Sequence, residues 1–125
     1  MEFDKLLTQE THSAGAEVEI LDPSTGKSLD VFIKVAGVGS KQFRKARSQL
    51  TAEALAIKSA GGEVDTESQF IKILARCTIG WSGVTKDGEE LPFDIESCEK
   101  LYTGSDFVYD QVYVFINDRE NFTGG

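Results

Sequence analysis

The stretch Cys77 to Phe93, CTIGWSGVTKDGEELPF, constrains this chain more than any other. It holds the only tryptophan, Trp81, between Gly80 and Gly83, followed by the turn Lys86-Asp87-Gly88-Glu89. Leu91-Pro92-Phe93 closes it, and Asp94 is a residue of N-cap type. The pattern predicts a helix ending here, a tight surface loop, and a new helix starting at Asp94. Trp81 falls on the last helical turn or just beyond it. An indole is large enough to pin such a loop to the core, so Trp81 is expected to be largely buried. Cys77, Trp81 and Phe93 therefore read as structural residues, and no catalytic group lies beside them.

The elements before this stretch follow from local pattern. Met1 to Gly15 is a polar arm carrying Phe3, Leu6 and Leu7, either docked as a short helical turn or loose. His12 lies in its polar run and is expected to be solvated. Ala16 to Ala36 alternates apolar and polar residues on either side of Asp22-Pro23-Ser24-Thr25-Gly26-Lys27, which predicts a β-hairpin. Ser40 then caps a helix over Lys41 to Ala60, with Phe43, Ala46, Leu50, Ala54 and Ile57 on one stripe. Asp65 or Thr66 starts the next helix, whose stripe is Phe70, Ile73, Leu74, Cys77 and Trp81, with Ile71 adjoining.

Beyond Asp94 a short helix turns Ile95, Cys98, Leu101 and Tyr102 inward. Asp106 to Glu120 is rich in β-branched and aromatic residues, yet its apolar spacing and its Asp residues favour a helix. The expected fold is α+β: an N-terminal β-hairpin packed on a bundle of about four helices. One domain spans residues 16–122, and residues 123–125 form a flexible Gly-Gly end to which a further segment could attach.

Charge narrows the function. Thirteen Lys and Arg against 21 Asp and Glu give a net charge of −8, which repels phosphate backbones and disfavours nucleic-acid binding. No apolar run approaches the roughly 20 residues a membrane helix needs, and the start lacks the pattern of a signal peptide. Cys77 and Cys98 fit no metal spacing and read as small buried apolar residues, with a disulfide or a reactive thiol as the alternative. One histidine and loop carboxylates such as Glu89-Glu90 do not assemble a nucleophile and base. Neither an enzyme nor a cofactor or metal site is expected.

Binding is left. Lys41, Arg44, Lys45 and Arg47 form the only dense basic cluster, placed where a helix dipole disfavours cations. They suit an acidic partner or RNA, or are simply a solvated face. Phe3, Leu6, Leu7, Tyr109, Tyr113 and Phe122 are candidates for apolar docking, with a core role as the alternative for the aromatics.

The second half also resembles a known family. A Cys-x-x-x-Trp helix end (Cys77 to Trp81) leads through Ser82-Gly83-Val84 and an acidic Gly turn to Leu91-Pro92-Phe93. An aromatic helix then ends near Phe122. With an N-terminal hairpin before a Lys/Arg-rich helix, the region from Ala16 to Phe122 resembles the tail assembly chaperones of long-tailed, siphovirus-type bacteriophages. The resemblance implies a non-enzymatic protein of the host cytoplasm that coats the tape-measure protein, helps recruit tail-tube subunits, and is absent from the mature virion. It further implies a homo-oligomer and a longer frameshifted product. The alternatives are a structural virion component, such as a tail-tube or head–tail joining subunit, and an unrelated bacterial protein-binding module.

Overall fold

Asp22 organises the hairpin from its turn. Its side chain accepts the Ser24 N–H at 2.8 Å, and Gly26 takes a positive φ of 73° that a larger residue would resist. The computed structural model describes residues 1–123. In it, β1 (Ala16–Leu21) pairs antiparallel with β2 (Ser28–Val35), placing Val18 opposite Ile33 and Ile20 opposite Val31. Val18, Ile20, Ile33 and Val35 all turn to one face and are buried there.

The sheet has a third strand where a helix end and loop were expected. β3 (Thr78–Ser82) pairs antiparallel with β2, giving the order β1-β2-β3. Two effects end the preceding helix at Cys77. Thr78 and Ile79 are β-branched and stiff in a helix, and the free edge of β2 offers the backbone groups of residues 78–82 ready partners. Trp81 is thus a strand residue, paired with Ile33 and half-buried rather than largely buried. Its indole N–H donates to the Leu91 carbonyl at 2.8 Å, and Phe93 meets the ring edge-on at 5.2 Å. A small hairpin of β4 (Thr85–Lys86) and β5 (Glu89–Glu90) follows, turning through Asp87 and Gly88, both at positive φ.

Three of the helices start at a short polar side chain that caps them, whereas Ser105 at the start of the sixth makes no such bond. The arm contains α1 (Phe3–Leu6) and α2 (Gln9–Ala14). Ser40 caps α3 (Lys41–Ser59) through the Phe43 N–H, and Asp65 caps α4 (Thr66–Cys77) through Glu67. Asp94 caps α5 (Ile95–Gly104), accepting from the Ser97 N–H at 2.7 Å. That bond, first among several causes, holds the Asp94 carboxyl below its ordinary pKa. α6 (Asp106–Asn117) is helical as expected, and α7 (Glu120–Thr123) is a single turn. Gly124 and Gly125, expected to be mobile, lie outside the described residues.

The fold is therefore α+β, with the hairpin sheet laid on a helical bundle. Leu74, Ala75, Cys77, Cys98, Tyr102, Val108, Val112 and Ile116 fill the space between sheet and helices. Both cysteines are free and buried, as expected, and burial pushes the Cys77 thiol up to about 12. Helix α3 packs on α4 through buried Ala46 and Leu50, and Arg76 ties them by an ion pair to Glu53 at 3.7 Å. The apolar stripe of α3 is buried only in its first half. Ile57 is exposed, because α3 runs on past the body that α4 can cover.

Candidate functional site

The arm is fixed at one point and open before it. His12, expected to be solvated, is fully buried at 0% exposure. Its Nδ1 accepts the Gly39 N–H at 2.9 Å, and its ring stacks on Phe122 at 5.2 Å. The accepting Nδ1 must be unprotonated, so the ring is neutral with its hydrogen on Nε2. Burial, with Arg119 as a second cause, lowers the His12 pKa from 6.5. Gly37 is obligatory beside it, since a Cβ there would overlap the imidazole. Ser13 joins the anchor, its hydroxyl accepting from the Lys41 N–H and its carbonyl from Gln42.

Upstream of that anchor, Phe3 is 72% exposed and Leu6 and Leu7 are 60% exposed. Leu6 and Leu7 form one wall of a cleft of about 810 Å³, whose other wall carries Phe43, Arg44 and Arg47 of α3. Arg119, from the segment between α6 and α7, completes it. A second, apolar groove of about 390 Å³ runs between α3 and α4. Leu50, Ala54, Leu55, Phe70 and Ile73 line it, with Arg47 and Lys58 along its α3 side. Arg47 belongs to both, so cleft and groove form one continuous surface along α3. Tyr113 extends it across α6, edge-on to Phe70 at 6.4 Å and stacked on Tyr109 at 6.0 Å.

This surface sorts the candidate residues. Leu6, Leu7, Arg44 and Arg47 are brought together, and Tyr113 borders the groove. Phe3 is exposed on the arm but lines neither depression, and neither do Lys41 and Lys45. Tyr109 is half-buried against the core, and burial raises its phenol pKa. Phe122 is a correction: at 3% exposure it is a core residue, held between His12 and Phe115, and cannot dock a partner.

Sequence reasoning missed Leu55, Phe70, Lys58 and Arg119. Leu55 lies off the inward stripe of α3, which was itself a signal for an apolar residue with no place in the core. Phe70 sat on the predicted inward stripe of α4, yet its ring is 44% exposed. Nothing local to Arg119 announces that it joins Arg44.

The α3–α4 groove, apolar with cations at its edge, suits a peptide or helix of another protein, and the cleft beside it is more polar, with Asp4 and Glu10 also on its lining. Among the described residues, no cluster of three His, Cys, Asp or Glu could hold a metal ion, and no helix is long and apolar enough to cross a membrane. No family model, curated protein or solved structure matches the chain.

Proposed function

We propose that this chain is a non-enzymatic tail assembly chaperone of a long-tailed bacteriophage. It acts in the host cytoplasm, coats and solubilises the tape-measure protein, helps recruit tail-tube subunits, and leaves before the virion is complete. The observation that carries this reading is the α3 surface, where Leu55 stands 67% exposed in the groove with Phe70 and the open arm borders the adjoining cleft. A long helical protein with apolar stripes aggregates unless those stripes are covered. A groove between two helices accepts such a stripe by the helix-in-groove mode. From Arg47 to Lys58 the groove follows α3 for about three turns, roughly 16 Å at 1.5 Å per residue, enough for anchors at i, i+3/i+4 and i+7. Several copies would be needed along one rod, which favours self-association.

The test is co-expression with a fragment of the tape-measure protein from the same genome. The wild-type chain should keep the fragment soluble and co-purify with it. Leu55→Glu with Phe70→Ser should abolish both while leaving the helical circular dichroism intact. A double variant that still solubilises the fragment would sink the groove as the docking site. Finding the chain in purified virions would favour the structural-component reading instead.

A further inference from the structure

Three of the four arginines in this chain, Arg44, Arg47 and Arg119, line one cleft. The fourth, Arg76, is the one already engaged by a carboxylate, Glu53. Not one of the nine lysines lines the cleft, although Lys41 and Lys45 neighbour Arg44 in sequence. If only positive charge or solubility mattered, lysine would serve as well. Arginine differs in its planar fork, which grips a carboxylate through two parallel hydrogen bonds, and in its weaker hydration. Among the described residues, no carboxylate lies within ion-pairing distance of these three guanidinium groups. That is notable in a chain with 21 acidic residues.

The geometry points to a binding site for a peptide segment that carries one carboxylate beside apolar side chains. Arg44, Arg47 and Arg119 hold the carboxylate, and Leu6, Leu7 and Phe43 receive the apolar neighbours. The charge count selects this ligand over phosphate. Asp4 and Glu10 also line the cleft, so three guanidinium groups face two carboxylates, a surplus of one positive charge. A single Asp or Glu matches that surplus, whereas a phosphate dianion exceeds it by one charge. The apolar side chains on the lining, Leu6, Leu7 and Phe43, argue the same way, because they gain nothing from a bare inorganic anion. This inference rests on the cleft alone and survives or fails independently of the tail-assembly reading.

The test uses the full chain and three probes at low salt, followed by amide chemical shifts in NMR. The first probe is a blocked octapeptide with one Glu between two leucines in a Ser/Gly background. The second replaces that Glu by Gln, and the third is inorganic phosphate. The Glu peptide should shift the amides of Gly39, Arg44 and Arg119, bind about tenfold more tightly than the Gln peptide, and weaken as salt rises. Arg44→Gln with Arg119→Gln should lose about that same factor, while Lys41→Gln with Lys45→Gln should change affinity less than twofold. Circular dichroism verifies that both pairs fold. Equal affinity for the two peptides, equal loss in the lysine pair, phosphate competing at the concentration of the Glu peptide, or no binding by any probe would each overturn the proposal.

Discussion

His12 Nδ1 accepts the Gly39 N–H at 2.9 Å inside a fully buried pocket, so folding selects the neutral ring. The native pKa is therefore lowered, while the unfolded chain titrates near 6.5. Below pH 6.5 the unfolded state binds more protons than the native one, and stability falls as pH falls towards the native pKa. Above pH 6.5 the contribution is fully present. The loss therefore accumulates as pH falls from 6.5 towards the lowered native pKa. His12→Asn can keep an acceptor near Nδ1 without titrating, so its melting midpoint should drop less than wild type between pH 7 and 5.5. Parallel pH profiles for the two proteins would remove His12 as the source.

Such a bond is hard to see in sequence, because Gly39 lies on the far side of the whole hairpin. What was legible shares one property: the partner is near in sequence. Asp22 with Ser24, Ser40 with Phe43, and Asp94 with Ser97 are turn and cap bonds spanning two or three residues. The hairpin, the four main helices and the buried cysteines all follow from such local rules. Strand β3 does not, since its extended form depends on β2, whose Lys34 pairs with Gly80. The candidate site divides in the same way. Arg44 and Arg47 announce themselves as a cluster, whereas Arg119 joins them only through the tertiary fold.

Trp81 offers a graded test of the segment that joins sheet and bundle. Its ring is half-buried against Phe93, and its N–H reaches the Leu91 carbonyl. Trp81→Phe keeps much of the apolar contact and should cost about 1 kcal/mol for the lost hydrogen bond. Trp81→Ala should cost about 3 kcal/mol, the low end for a large aromatic, because part of the ring is already in water. Urea titration of both variants separates the two terms. Equal costs would mean that the ring packing contributes little, and a Trp81→Phe variant as stable as wild type would mean the same of the hydrogen bond.

Gly83 and Gly88 both take positive φ, at 81° and 82°, yet substitution should affect them very differently. A Cβ on Gly83 would overlap the backbone carbonyl of Asp30, which cannot move without disturbing the β2 end of the sheet. A Cβ on Gly88 meets nothing within 4 Å. Gly88→Ala should therefore cost about 1 kcal/mol, the backbone strain alone. Gly83→Ala should cost at least twice that, read as a larger fall in melting midpoint. If the two alanine variants melt together, Gly83 is not the close approach described.

Among the described residues, Thr78 and Tyr102 make the one buried pair of side-chain hydroxyls that links sheet to bundle, 2.7 Å apart. Thr78 Oγ1 also lies 2.8 Å from the Leu74 carbonyl, which can only accept, so Thr78 donates there and Tyr102 donates to Thr78. Removing either hydroxyl breaks the same contact, but the consequences differ. In Tyr102→Phe, Thr78 keeps its bond to Leu74 and no buried donor is orphaned, so the cost should be about 1 kcal/mol. In Thr78→Val, the buried Tyr102 hydroxyl is left with only the weakly accepting Cys98 sulfur, and the cost should be about 2 kcal/mol. Ionisation offers no escape, since burial holds the Tyr102 phenol well above its ordinary pKa. The double variant should then recover part of the Thr78→Val loss, because no unpaired hydroxyl is left inside. A double-mutant cycle from urea unfolding at neutral pH measures this directly, and additive costs would show that the two hydroxyls are not coupled in the direction assigned.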